Sequence, residues 1–306
     1  MHASAGPAAV TLADRFASEG FVVIRQAVPS ALIDAVLHAQ RGSRLNPLLI
    51  FRGQGVVGYE RAKWNQHGQM VRSIQNPHLL GFAPRLSASI RRLVFSDAIA
   101  KALADCTDVS QWVNWQTMLF DRSVGTDVHL DTWFLDTQPR GHLIGAWIAL
   151  EEIRPESGPF IVYPRSHNLL VDTEMNGLVD LSARKDQLHD VIRRHQLTPK
   201  QLLLGKGDLV LWNSLVAHGS ELPASPVMTR KSVTAHFYPL GMPVMDPPIR
   251  RSLSIYDHEK PCRTQHPQLR MAATINPCLY SSICTGMYFV QGLKPSRAAV
   301  GAIRRA

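Results

Sequence analysis

The amino-acid sequence predicts a mainly β fold with helices, the helices gathered in the N-terminal third, on three observations. Short apolar and β-branched runs crowd the middle of the chain, at Val113–Phe120, Leu143–Leu150, Phe160–Tyr163, Leu209–Leu215 and Ser232–Tyr238. Turn chemistry separates them, at Gly125, Pro139-Arg140-Gly141, Ser157-Gly158-Pro159 and Gly205-Lys206-Gly207-Asp208. Helical apolar spacing, by contrast, falls mostly before position 110. Short strands between such turns point to an antiparallel sandwich or barrel.

Taken in order, Leu12–Glu19 carries Leu12 and Phe16 at helical spacing, and Gly20 follows where a helix would stop. Phe21-Val22-Val23-Ile24 reads as a buried strand. Pro29-Ser30 then opens a helix whose buried stripe is Leu32, Ile33, Val36 and Leu37. Glycines at 53, 55, 58 and 68 interrupt any period between Asn46 and Gln75. Two helical stretches fit Leu86–Cys106, marked by Ile90, Leu93, Val94, Ile99 and Leu103. Beyond the first strands, Asp180–Gln196 has Leu181, Leu188, Val191 and Ile192 at helical spacing and predicts a helix on or near the rim of the β core. No sequence repeat or low-complexity tract appears.

Composition narrows the classes. Apolar residues are 45 % and charged residues 19 % of 306, ordinary globular values that argue against long disorder. The formal charge of +9 is spread along the chain without a long basic run, which reads as a solvated surface, and no nucleic-acid recognition motif accompanies it. Cys106, Cys262, Cys278 and Cys284 form no CxxC pair, so they are expected as reduced thiols. Met1–Thr11 lacks the pattern of a signal peptide, and no stretch approaches the length of a membrane helix; the expectation is a cytoplasmic protein.

The chemistry is concentrated in Asp127-Val128-His129-Leu130-Asp131. Along an extended chain, residues i and i+2 point to one side, so His129 and Asp131 can offer an imidazole nitrogen and a carboxylate oxygen to one point. A third ligand must come from elsewhere, and His218, following the strand Leu209–Leu215, is the candidate. Two histidines and one carboxylate on one face of an octahedral ion leave the opposite face open, the arrangement associated with non-haem iron(II) oxygenases. A His-x-Asp pair among 13 histidines is by itself a weak signal. Its surroundings sharpen it.

Three ordered blocks surround the pair: His129-Leu130-Asp131-Thr132 with Leu143–Glu152, then Glu156–Phe160 leading into Tyr163–His167, then Lys206-Gly207-Asp208, His218-Gly219-Ser220 and Arg230-Lys231-Ser232. Through them the chain resembles the phytanoyl-CoA dioxygenase family from about Val113 to Pro239, and more loosely at Phe16–Val28. The resemblance implies a double-stranded β-helix (a cupin-type jelly roll) supported by N-terminal helices. It further implies iron(II), 2-oxoglutarate and O2, with His129, Asp131 and His218 as metal ligands and catalytic centre. Arg230 matches the arginine holding the distal carboxylate of 2-oxoglutarate, for which a planar guanidinium fork is well suited. Ser232, Ser220, Gln116 and Trp147 correspond to further residues of the cosubstrate pocket. His142, His167 and His236 are read as structural, and Trp133 and Phe134 as either pocket walls or plain core. One departure stands out: Arg165 occupies a position where the family has glycine. Halogenating relatives replace the ligand carboxylate with a small residue; Asp131 is retained, so hydroxylation is expected.

On this reading residues 1–306 form a single catalytic domain. Its parts are a helical third (1–110), a jelly-roll core (about 111–240) with a helical insertion (about 171–200), and a C-terminal extension (241–306). The segments 46–75 and 171–200 are candidates for lid or substrate-binding elements. The expected partner is a small-molecule substrate, free or bound to a carrier or CoA. Two other classes stay open: a jelly-roll protein binding metal and carboxylate without oxygen chemistry, and a nucleic-acid-binding module.

Overall fold

A computed structural model describes residues 10–54, 58–170, 181–244, 253–254, 262–266 and 277–292. The Met1 end (1–9), the start of the expected insertion (171–180) and most of the C-terminal extension lie outside the described residues.

Helix α1 (Leu12–Glu19) begins on a capping box, with Thr11 Oγ1 accepting from the Asp14 amide and Asp14 accepting from the Thr11 amide. It stops at Gly20, whose φ of 79° lies in the left-handed region. Strand β1 (Phe21–Ile24) and α2 (Ser30–Gly42) follow, then a two-stranded hairpin of β2 (Ile50–Phe51) and β3 (Glu60–Arg61), and β4 (Ile74–Gln75). Helices α3 (Pro84–Val94) and α4 (Asp97–Thr107) realise the two stretches expected within 86–106. Next come β5 (Trp112–Phe120), β6 (Thr126–His129), β7 (Ile144–Ala149), β8 (Phe160–Val162), α5 (Ser166–Leu170) and α6 (Leu181–Arg194). The remaining elements are β9 (Lys200–Leu202), β10 (Leu209–Asn213), β11 (His218–Ser220), β12 (Ser232–Pro239), β13 (Leu253–Ser254), β14 (Cys262–His266) and α7 (Pro277–Gly292).

Two sheets face each other. The larger runs β1-β10-β7-β12-β5 with antiparallel pairing throughout, extended past β5 by a parallel β14 and then β13, with β4 also on β5. The smaller runs β6-β11-β8-β9. The sheets do not close into a barrel, so the open jelly roll replaces the barrel alternative. Both faces of the larger sheet are covered, which explains its nearly unbroken apolar runs. Ile144, Ala146, Ile148, Leu209, Leu211, Val233 and Phe237 share one core with Ile33, Ile90, Leu93 and Leu103 of the helices. The alternate residues Trp147, Ala149, Val210 and Trp212 pack with Phe160, Val162 and Leu202 between the sheets.

Several local outcomes refine the sequence reading. In α6 only Leu188 and Val191 are buried, whereas Leu181 is exposed, so the helix rests on a narrow contact. At the turn Pro164-Arg165 the non-glycine residue takes the left-handed conformation itself: Arg165 adopts φ 65° and its amide donates to Glu19 O. Cys106 and Cys284 are buried thiols, and the Cys262 side chain lies outside what is described. Helix α7, in the extension to which the sequence assigned no element, packs on β2. Among the described residues no helix is long and apolar enough to cross a membrane.

Candidate metal centre

The smaller sheet delivers the three expected ligands. His129 ends β6, His218 opens β11, and the two are direct cross-strand partners. That register brings their ring centroids to 4.3 Å. Asp131 sits two residues past β6, where the chain turns into a single 3-10 turn at Asp131–Trp133. Each imidazole is fixed by the same local device: Nδ1 lies 2.8 Å from Asp127 O in His129 and 2.9 Å from Val216 O in His218, a carbonyl two residues back in both cases. A carbonyl can only accept, so Nδ1 carries the proton and Nε2 presents its lone pair. Asp131 Oδ1 lies 3.8 Å from His129 Nε2 and 3.6 Å from His218 Nε2. All three donor atoms fall within 4.8 Å of one another.

Electrostatics prepare these groups for a cation. Burial alone would raise the Asp131 carboxyl, but the surrounding imidazoles of His218, His236 and His129 outweigh it and hold the group well below the usual carboxylate range. Burial pushes the His218 imidazole down to about 4, against the pull of Asp131, which leaves the ring neutral and its lone pair free at neutral pH. A carboxylate oxygen and two imidazole nitrogens suit iron(II), and they fit the group that the fold implies.

The other end of the cavity is cationic. Arg230 is 3 % exposed, and its Nη1 donates to Gly158 O at 3.1 Å. Its Nε is buried with no partner. The guanidinium carbon lies 5.6 Å from the Trp147 ring centre and 5.7 Å from that of Phe120. Burial pushes its pKa down to about 10, which still leaves it charged at neutral pH. The turn that presents this carbonyl requires glycine: Gly158 sits at φ 75°, and a Cβ there would meet Glu221 O at 2.4 Å. A buried fork with no carboxylate beside it among the described residues is a receptor for an anion brought from outside.

The remaining expected residues fall unevenly. Ser220 and Trp147 line the cavity between the metal ligands and Arg230. The Ser220 hydroxyl accepts from the Thr126 amide at 3.1 Å. Ser232 is buried, its Oγ 3.5 Å from Arg230 O, on the strand just behind the arginine. Gln116 pairs with His236 across β5 and β12 but is not among the cavity walls; Met118 and Phe120, further along the same face of β5, are. His167 is structural, with Nε2 3.0 Å from Ala17 O.

Three residues escaped the sequence reading. His236, expected to be structural, lines the cavity with Nε2 3.4 Å from Asp131 Oδ2. The alternation 230, 232, 234, 236 along one face of β12 carries the signal that would have found it. Trp212 donates its indole N–H to Asp131 Oδ2 at 2.8 Å. Gln54, from the glycine-interrupted segment, also reaches the cavity, and its Oε1 is buried without a partner. The neighbouring aromatics divide: Trp133 is core against Leu188 and Val191, whereas Phe134 is 50 % exposed and edge-on to His129.

Comparison with known proteins bears directly on this site. The family model described as phytanoyl-CoA dioxygenase (PhyH) matches residues 16–232. A curated relative, the phytanoyl-CoA dioxygenase domain-containing protein 1 homolog of Caenorhabditis briggsae, is 29 % identical over 126 residues, 35 % of this chain and 38 % of the relative. The match thus spans well under half of that relative's length. Among solved structures, the non-heme alpha ketoglutarate dependent carbocyclase SnoK from nogalamycin biosynthesis aligns with a TM-score of 0.57 at 17 % identity, covering 76 % of this chain and 84 % of its own. EctD from S. alaskensis with bound Fe gives 0.56 at 17 % identity, covering 81 % and 82 %. The epimerase SnoN in complex with Fe3+, alpha ketoglutarate and nogalamycin RO gives 0.54 at 18 %, covering 78 % and 85 %.

Proposed function

The chain belongs to the phytanoyl-CoA dioxygenase family; from that premise we propose that it is an iron- and 2-oxoglutarate-dependent dioxygenase-type enzyme that hydroxylates a small molecule at the centre formed by His129, Asp131 and His218. The observation that carries the reading is a cavity with a metal-ligand cluster at one end and an unpaired, buried Arg230 at the other.

His129, Asp131 and His218 would hold iron(II), and Arg230 would hold the distal carboxylate of 2-oxoglutarate through its free N–H groups. When bound, the metal and cosubstrate supply an oxidation in which O2 and 2-oxoglutarate yield succinate and CO2 and one oxygen atom reaches the substrate. The protein's own part is placement. Trp147 and Phe120 flank Arg230 and keep water from the ion pair it would form. Ser220 lines the passage between the two ends, while Ser232 supports the backbone of Arg230; Gln116 stands one step outside the walls. The Arg230 end is flanked by Trp147 and Phe120, so the substrate is placed toward His129, where Phe134 lies edge-on to that ring. Phe134 is half exposed there, and Gln54, elsewhere in the cavity wall, offers an amide oxygen with no partner.

The named neighbours include a carbocyclase and an epimerase, so the shared fold admits several outcomes. The retained Asp131 carboxylate supports oxygen transfer over halogenation. The same reading treats the chain as one catalytic domain, supported by the single core that the larger sheet shares with α2, α3 and α4. A free small molecule and one carried by CoA or a protein both fit an open mouth.

The test is direct. Anaerobic addition of iron(II) and then 2-oxoglutarate to metal-free protein should raise a weak visible charge-transfer band, and admitting O2 should release succinate. Folded, iron-loaded protein that shows neither band nor oxygen-dependent succinate, with 2-oxoglutarate in excess, would refute the proposal.

A further inference from the structure

Resting on the reading of His129, Asp131 and His218 as ligands, we propose that Trp212 and His236 are positioning residues that pin Oδ2 of Asp131, making the carboxylate a one-oxygen ligand. The two oxygens of Asp131 have different surroundings. Oδ1 faces the Nε2 atoms of His129 and His218. Oδ2 points away from them, accepting the indole N–H of Trp212 at 2.8 Å and lying 3.4 Å from His236 Nε2. An indole N–H can only donate, so it cannot itself be a ligand and its one partner is this oxygen.

The distinction matters for coordination. A carboxylate can bind a cation through one oxygen or two. Two-oxygen binding would take up a fourth position of an octahedral ion. A cosubstrate binding through two atoms would then fill the last two, leaving no place for O2. Holding Oδ2 in a hydrogen bond keeps that position open.

Sheet register builds the anchor. In one row across the larger sheet, Trp212 of β10 pairs with Gly145 of β7, which pairs with His236 of β12. The two rings meet over the glycine edge to face, with centroids 5.9 Å apart. A Cβ at 145 would lie 2.1 Å from the Trp212 Cε2 and Cζ2 atoms. The absent side chain is what lets the indole lie across β7 and reach Asp131.

Titration of metal-free protein with cobalt(II), followed by visible absorption, tests this without turnover. Trp212→Phe and His236→Leu should each weaken cobalt binding about 10- to 100-fold, the usual range for loss of a partner behind a metal ligand. His236→Gln, whose amide can still donate, should stay close to wild type. The thermal midpoint of each metal-free variant checks folding independently. Folded Trp212→Phe and His236→Leu proteins with wild-type cobalt affinity would overturn the proposal, and so, for His236, would equal losses in the Gln and Leu variants. Should Trp212→Phe fail to fold, the Gln and Leu pair decides. Wild-type protein that takes up no cobalt would instead strike the ligand assignment beneath the proposal, so the two failures are distinguishable.

Discussion

At one end of the cavity Asp131 is a buried anion ringed by nitrogen atoms of Trp212, His236, His129 and His218; at the other, Arg230 is a buried cation that donates to the carbonyl of Gly158 and has no carboxylate beside it among the described residues. Both charges are nearly sealed from solvent. At the acidic end the His129 and His218 rings are each held by a backbone carbonyl, and Trp212 donates to Asp131 itself. The basic end is left incomplete. Burying an unpaired charge costs several kcal/mol, so the protein carries at Arg230 a penalty that only an anionic ligand removes. One end is built to hold its geometry, the other to be completed.

Substitutions can break that contrast. The largest effect is expected from His218→Ala, which removes one of three ligands; metal content and oxygen-dependent succinate should both fall to background, read by metal analysis and product assay on the same sample. Arg230→Met should act differently. Losing charge-assisted hydrogen bonds of about 2–4 kcal/mol in total lowers kcat/KM for 2-oxoglutarate roughly 30- to 1000-fold, with iron content unchanged. The same variant sharpens the comparison, because the ligand-free protein should become more stable by about 1–3 kcal/mol once the unpaired cation is gone. A denaturant titration without 2-oxoglutarate reads the sign, and a loss of stability would show that Arg230 is already satisfied. The smallest effect lies outside the cavity. Arg165→Gly relieves a left-handed residue at φ 65° and should stabilise by about 1 kcal/mol, or about 2–4 °C in Tm, without altering metal binding.

The β core was legible because its strands are short, apolar and bounded by glycine and proline, and because both faces of the larger sheet are buried. The candidate ligand cluster was legible for a local reason: His129 and Asp131 share one side of an extended chain, and His218 lies where a strand returns beside them. Arg230 followed from its place in an ordered block. What stayed hidden depends on tertiary approach. Trp212 lies in a run, Leu209–Leu215, in which any tryptophan reads as core, and nothing nearby in sequence shows that its N–H meets Asp131 across Gly145. His236 was read as structural because a histidine in a buried strand has an easy structural explanation; only its alternation with Arg230 points toward the cavity, where its Nε2 lies 3.4 Å from Asp131 Oδ2. Gln54 sits among glycines that erase periodicity, so its presence in the cavity wall had no local signature. Helix α7 lies in a stretch whose weak amphipathic pattern gave no element, although its Gln291 side chain accepts from the Tyr59 amide of the same glycine-rich region.

Trp133 and Phe134 are adjacent, yet one is locked beneath α6 while the other stands half in water at the rim beside His129. Size and polarity at position 134 can therefore vary without loosening the helix that its neighbour clamps. A small saturation library at that single codon would test whether the rim beside His129 governs what the proposed site accepts.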